Sequence, residues 1–393
     1  MGIPDLDALL AAGVRGARVF VRADLNVPLE GGAVADDSRV RASVPTLRRL
    51  VDAGARVIVA SHLGRPKGKT VPGMSLRPLA PCLARRLGTG VSFCEACIGP
   101  RAEEAVAELA PGQVLLLENL RFHAGEEKND PDFAAALARL ADVYVNDAFG
   151  TAHRAHASTV GMVSRVARTA AGDLLRSELA HLRVVREPKR PLLAILGGSK
   201  VSSKLEVMEA LAPHADVLAI GGAMTYTFLA ADGQPVGASL VEPECRDDAR
   251  RVVAAAKRAR RRLLLPVDHV VAKAVLAGAQ TRVVERIPDG WIGVDIGPKT
   301  AALYAEEARR AQTVFWNGPM GVFEIDAFAA GTETVARGVA DCAGVTVVGG
   351  GDSLAAIHRL GIGARISHLS TGGGASLEYV QGLTLPGVAA LER

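Results

Sequence analysis

The sequence predicts an α/β protein made of two lobes, each a parallel sheet flanked by helices. Three observations carry this reading. Short apolar runs of strand length alternate with longer helix-like stretches along all 393 residues. Apolar residues make up 49% of the chain and aromatics only 4%, so packing rests on Val, Leu, Ala and Ile, as in buried parallel strands under Ala-rich helices. Polar and charged residues gather where the apolar runs end, which is where open parallel sheets bind ligands. The length itself suits two or three domains.

In the first half, strands are expected over residues 19–21, 57–60, 114–117 and 143–145, each a short Val- or Leu-rich run closed by polar residues. Helices are expected between them over 38–53, 101–110 and 131–141. In the second half, strands are expected over 192–196, 217–220, 263–265, 314–316 and 345–348. Helices are expected over 201–211, 243–260, 300–311, 327–342 and 353–360. A helix-like stretch over 169–186 leads into Glu187-Pro188-Lys189-Arg190-Pro191. Two prolines around a charged pair stop a helix and start a strand, so the domain junction is expected here.

Composition narrows the function classes. Charged residues are 22% and the net charge is +4, mild for this length, and suited to small anionic substrates at least as well as to nucleic acid. The one dense basic block, Lys257-Arg258-Ala259-Arg260-Arg261-Arg262, closes a helix, where cations complement the carbonyl end on a solvated face. Five scattered cysteines, Cys82, Cys94, Cys97, Cys245 and Cys342, argue against a disulfide framework and for a reducing compartment. Cys94 and Cys97 have redox or metal-ligand spacing but no second pair, and are expected as two buried or partly buried thiols. The N-terminus carries Asp5 and Asp7 and no long apolar run, so no signal peptide is expected. The longest uncharged stretch, 217–231, is shorter than the ~18 residues that a bilayer span requires. The expectation is a cytoplasmic protein with no membrane or nucleic-acid partner.

The first half concentrates Arg and His at strand ends: Arg22, Arg39, His62, Arg65, Arg121, His123, His153, Arg154 and His156. In Arg22-Ala23-Asp24-Leu25-Asn26, Asp24 and Asn26 can hydrogen-bond a substrate hydroxyl or carboxylate while Arg22 balances charge; equally, Asx turns can simply end the strand. Gly64-Arg65-Pro66-Lys67-Gly68-Lys69-Thr70 fails as a P-loop, because three residues separate its glycines where four are needed. It reads as a polar loop with His62 and Arg65 aimed at an anion. Glu118 to His123 and Asp147 to His156 repeat the arrangement. Fixed cationic forks at four strand ends suit a small, highly charged anion.

The second half changes chemistry. Glycine-rich turns recur at Gly197-Gly198-Ser199-Lys200, Gly221-Gly222, Gly349-Gly350-Gly351-Asp352 and Gly372-Gly373-Gly374. Such turns let backbone N–H groups approach phosphates. Lys200 and Lys204, four apart, are expected on one helical face, holding successive phosphates. Asp352 is either a helix cap or a Mg²⁺ ligand beside a nucleotide. Two phosphorylated ligands, one per half, point to phosphoryl transfer between them.

The chain resembles the phosphoglycerate kinase family along almost its full length. The resemblance rests on Arg22 to Pro28, Ser61 to Pro66, Glu118 to Phe122, Gly150 to His156 and Gly197 to Val201, and continues at Trp316 to Gly321, Gly349 to Ser353 and Ser370 to Ser376. It implies two Rossmann-like lobes with a hinge and an interlobe cleft, in a monomer. Residues 1–170, with a returning segment 378–393, would form a glycerate-binding lobe. Residues 171–190 would be the connecting helix and hinge, and 191–377 a nucleotide-binding lobe. The implied reaction moves the acyl phosphate of 1,3-bisphosphoglycerate to Mg-ADP, giving 3-phosphoglycerate and ATP, reversibly. Asp24, Leu25, Asn26, Arg39, His62, Leu63, Gly64, Arg65, Arg121 and Arg154 would bind the glycerate ligand. Lys200, Lys204, Gly293, Glu324, Gly350, Gly351, Asp352 and Ser353 would bind the nucleotide, with Asp352 at the metal. Arg39, Lys200, Gly372 and Gly373 would meet the transferring group. Three positions depart from the family pattern: Asp173, Glu95-Ala96 before Cys97, and His269. The rivals, a binding protein without turnover and a nucleic-acid binder using Lys257–Arg262, are opposed by the intact Arg/Lys set and by the confinement of basic density to one helix end.

Overall fold

The computed structural model describes residues 2–392. The chain forms two compact units: one runs to Leu179 and includes the chain from Thr384 onward, and the other is Ala180–Leu383.

The first unit contains β1 (Arg18–Ala23), β2 (Leu29–Glu30), β3 (Ala33–Val34), β4 (Arg56–Ala60), β5 (Val91–Cys94), β6 (Val114–Leu117), β7 (Val143–Asp147) and β8 (Arg168–Ala171). Six of these make a parallel sheet in the order β5-β6-β4-β1-β7-β8, and β2 and β3 pair as a small antiparallel ribbon. Register puts Arg22 opposite both Ala60 and Asn146, so the central strands β4, β1 and β7 finish level with one another. The residues that follow them therefore emerge together. Val19, Val21, Val57, Val59, Val143 and Val145 pack in one core with Leu47 and Leu50 of the helix Ser38–Asp52 and Leu79 and Leu83 of the helix Leu79–Leu87. The alternate residues Phe20 and Tyr144 stack at 6.3 Å between ring centroids, as period-two alternation requires.

Residues 169–186 are not one helix. Arg168–Ala171 adds β8 to the sheet edge beside β7, and the helix runs only over Asp173–Arg186. A side chain on the intervening Gly172 would strike the Asp147 carboxylate, 2.1 Å from an added Cβ. That carboxylate accepts the Leu174 N–H at 3.0 Å and starts the helix there. The chain returns to this unit near its end: Asn146 Nδ2 donates to the Gly387 carbonyl at 3.1 Å.

The second unit contains β9 (Leu192–Leu196), β10 (Val217–Ile220), β11 (Arg262–Leu264), β12 (His269–Ala272), β13 (Thr281–Val284), β14 (Ile292–Ile296), β15 (Thr313–Asn317), β16 (Val345–Gly349) and β17 (His368–Ser370). Its parallel sheet has the order β11-β10-β9-β15-β16-β17, around fully buried Trp316. The strands β13-β12-β14 form a separate antiparallel sheet that the periodicity did not predict. The expected helix 201–211 begins only at Leu205. Ser203 Oγ instead donates to the Lys200 carbonyl at 2.8 Å and Ser202 Oγ to Glu242 at 2.5 Å, holding residues 200–204 as turns. The basic block ends the helix Arg246–Arg258; Arg261 pairs with Asp216 at 2.5 Å and Arg262 with Glu307 at 2.8 Å.

All five cysteines are free thiols. Among the described residues, no helix is long and apolar enough to cross a membrane. The three departures are accommodated locally. Asp173 accepts from Arg49 at 2.7 Å, Glu95 pairs with Arg77 and Arg101, and His269 is buried 5.8 Å from the Tyr226 ring. Burial pushes His269 down to about 4, so it is neutral.

Candidate active site: an anion cluster and a glycine-lined cleft

In the first unit the strand ends build a cationic cluster. Asp24, after β1, accepts from Arg39 Nη1 at 2.5 Å. Asn26 Oδ1 accepts the Gly64 N–H at 2.9 Å, tying the β1 loop to the β4 loop. The Leu25 N–H donates to Ser61 Oγ at 2.8 Å. Arg121 Nη1 donates to the Gly64 carbonyl at 2.9 Å, and its Nε lies 3.3 Å from Glu127. His62 and Leu63 are buried; Arg65 is exposed. Arg154 Nε donates to His153 Nε2 at 3.2 Å.

Burial and neighbouring cations together shape the electrostatics of this cluster. Burial, with Arg22, Arg121 and Arg39 nearby, holds His62 well below its ordinary value. Burial and the neighbouring cations Arg121, Arg22 and Arg154 push His156 down to about 3. Burial lowers even Arg121 to about 10, with Arg22 and Arg154 adding to the effect against Glu127. Neutral histidines among fixed arginines cannot deliver protons near neutral pH but can orient an anion.

Arg22 is not part of the accessible cluster. It is fully buried, donates from Nε to Ser158 Oγ at 2.8 Å, and reaches His62 Nδ1 at 3.2 Å. Glu126, also fully buried, is joined to it through Ser158, whose Oγ donates to Glu126 Oε1 at 2.6 Å; burial raises the Glu126 carboxyl and the charge of Arg22 opposes that. Glu126 escaped sequence reading, because Gly125-Glu126-Glu127-Lys128 looks like any solvated polar run.

In the second unit, Gly198, Ser199, Gly222, Gly293, Glu324 and Asp352 line one cleft of about 250 Å³, with Tyr226 and Val322 as part of its apolar wall. Two glycines exist for close approach. A Cβ on Gly222 would lie 2.4 Å from the Gly198 carbonyl oxygen, and one on Gly293 would lie 2.1 Å from the Tyr226 hydroxyl. Gly293 belongs to β14 of the unforeseen antiparallel sheet.

Lys200 and Lys204 do not share a helical face. Lys200 is exposed in the turn after β9. Lys204 sits just before the helix Leu205–Leu211, and its Nζ donates to the Asn317 carbonyl and side-chain oxygens at 2.8 and 2.5 Å. Burial pushes Lys204 down to about 8, with Asp352 opposing. Asn317 is a further candidate missed in the sequence, at the end of β15. Gly350 precedes the helix Gly351–Arg359, Asp352 is exposed in its first turn, and buried Ser353 accepts the Gly318 N–H at 2.6 Å. The buried Gly372 donates to Ser370 Oγ at 3.3 Å, and exposed Gly373 precedes the helix Gly374–Val380.

Known proteins share this architecture. The family model described as phosphoglycerate kinase matches residues 9–383. The phosphoglycerate kinase of Rubrobacter xylanophilus is 56% identical over 381 residues, covering 96% of each chain. That of Moorella thermoacetica is 54% identical over 377 residues, covering 95% of this chain and 96% of its own. Among solved structures, phosphoglycerate kinase from Coxiella burnetii superposes with a TM-score of 0.90 at 38% identity, covering 100% of this chain and 99% of that one. A match of this length and identity, on two parallel-sheet units, decides the matter: the chain belongs to the phosphoglycerate kinase family, enzymes that reversibly transfer the acyl phosphate of 1,3-bisphosphoglycerate to ADP, giving 3-phosphoglycerate and ATP.

Proposed function

We propose that the two sets of residues divide the reaction between the units. The cluster of Asp24, Leu25, Asn26, Arg39, His62, Leu63, Gly64, Arg65, Arg121 and Arg154 takes the glycerate ligand. The second unit's cleft takes the nucleotide through Gly293, Glu324, Gly350, Gly351, Asp352 and Ser353, with Lys200 and Lys204 on its phosphates. The observation that carries this division is chemical: cations surround neutral histidines in one unit, and glycines with an exposed carboxylate line the cleft in the other.

Mg²⁺ fits the second set. The Asp352 carboxylate is exposed in the cleft lining, in the first turn of a helix whose N-cap is Gly350, so a hard oxygen donor is available. Asp352 would hold the ion, which neutralises charge on phosphate oxygens when bound.

The residues then align and neutralise. A transferring phosphoryl group spreads charge over its equatorial oxygens. Arg39 and Lys200 supply positive charge to it, and the exposed Gly373 amide adds a donor, whereas the buried Gly372 N–H is already engaged by Ser370 Oγ. A carboxylate attacks in one direction and an ADP oxygen in the other, so no general base is required. The reacting atoms must come within ~3–3.5 Å in line, so binding of both ligands is accompanied by closure of the hinge around 171–190, in a monomer. Scattering measurements test closure: the radius of gyration falls with both ligands bound, and a constant value in active protein refutes it. Chirally labelled ATP tests direct transfer. One displacement inverts the phosphorus centre; retention would require a phosphoenzyme and sink the proposal.

A further inference from the structure

We propose that Arg22 is a positioning residue that fixes His62 as the Nε2–H tautomer, so that His62 meets a bound ligand only as a hydrogen-bond donor. The proposal rests on the reading of His62 as a contact to the glycerate ligand.

The argument starts from what a guanidinium can do. It carries donors and no acceptor. Arg22 places Nε on Ser158 Oγ at 2.8 Å and Nη1 on the Ala23 carbonyl, leaving Nη2 at 3.2 Å from His62 Nδ1. A donor facing Nδ1 requires a lone pair there. In a neutral imidazole the proton is then on Nε2.

The ring's neutrality follows from its surroundings. His62 is 4% exposed. The charged and titratable groups acting on it are Arg22 on β1, Arg39 on the helix Ser38–Asp52, Arg121 after β6 and His156 after β7; burial first, and then the three arginine charges, disfavour the imidazolium, while His156 is itself neutral.

The same reasoning orders the protons on the other side of Arg22. Ser158 Oγ accepts from Arg22, so its own proton goes to Glu126 Oε1, 2.6 Å away. The Ser158 N–H donates to Glu126 Oε2 at 3.0 Å. Tyr144 Oη donates to the Ser158 carbonyl at 2.9 Å and fixes the segment against the sheet. Arg22, Ser158 and Glu126 are each fully buried. Arg22 therefore touches no ligand and acts through His62. A ring locked as a donor favours acceptor oxygens, as on a phosphate or carboxylate.

Long-range proton–nitrogen correlation spectra of protein carrying ¹⁵N-histidine read the tautomer directly, with His62→Gln assigning the signal. The expected result is an unprotonated Nδ1 and a protonated Nε2, both free and with 3-phosphoglycerate. A proton on Nδ1, or on both nitrogens, overturns the proposal. Arg22→Met, in a sample whose amide spectrum is otherwise native, should mix the tautomers and weaken 3-phosphoglycerate binding about ten- to a hundredfold. Arg22→Lys, which keeps a donor, should restore the single tautomer. Retention of one Nε2–H tautomer in Arg22→Met overturns the role of Arg22. If Arg22→Met does not fold, the wild-type spectrum decides. Unchanged 3-phosphoglycerate affinity in His62→Gln would sink the ligand reading instead, an outcome separate from the proton's position.

Discussion

Lys204 Nζ holds both oxygens of Asn317, the carbonyl at 2.8 Å and the side chain at 2.5 Å. This ties the turn after β9 to the end of β15, two neighbouring strands whose ends border the cleft. Lys204 is half-buried, and desolvation pushes it down to about 8, so its charge is lost within an accessible pH range. For free enzyme, kcat/KM for the nucleotide should therefore fall as pH rises through about 8. Lys204→Arg should move that fall to higher pH. An unshifted profile in Lys204→Arg would remove Lys204 from the nucleotide site.

Arg39 is half-buried and bound to Asp24, and we assign it to the transferring group. Arg39→Ala should lower kcat by ~10²–10³, as for loss of one transition-state donor, with nucleotide affinity little changed. Steady-state kinetics check this. A normal kcat with only a raised glycerate KM would reassign Arg39 to ground-state binding.

Asp352→Asn separates metal binding from helix capping. The helix Gly351–Arg359 has Gly350 at its N-cap and Asp352 exposed in its first turn, so the variant should melt within a few degrees of the wild type. Calorimetric titration should show weakened Mg-nucleotide binding and unchanged 3-phosphoglycerate binding. A lower melting temperature with intact Mg-nucleotide binding would favour a structural role.

Asp147 gives a pH signature in stability. Burial raises its carboxyl from 3.8 to about 7 in the folded chain. A raised folded pKa means that the folded state binds the extra proton between those values, so its stabilising contribution is full below about 4 and lost as pH rises through about 7. Asp147→Asn keeps an acceptor for Leu174 N–H and cannot ionise. Its melting temperature should therefore gain on the wild type as pH rises from 4 to 7, measured by calorimetry at each pH. A difference independent of pH would refute the shifted ionisation.

Much of this was legible before the structure. The strands at 57–60, 114–117 and 192–196 are uninterrupted apolar runs, and Arg, His and Asn directly after such runs pointed to β4, β6 and their neighbours. The antiparallel sheet was hidden because β13 is largely exposed and lacks the uninterrupted apolar run that marks the parallel strands. The late start of the helix at Leu205 turned on Ser202 and Ser203 bonding Glu242 and backbone, contacts that no local pattern announces. Glu126 was invisible for a similar reason. Its burial depends on Arg22, far earlier in the chain, and on Ser158.

Hydrogen–deuterium exchange with each ligand alone tests the division of labour most directly. 3-Phosphoglycerate alone should slow exchange in residues 24–26, 62–65 and 121–123 and leave 197–204 and 350–353 unchanged. Mg-ADP alone should slow exchange in 197–204, 293–296 and 350–353 and leave the first set unchanged. Protection of residues 24–26 and 62–65 by Mg-ADP, without protection of 197–204 and 350–353, would contradict the account.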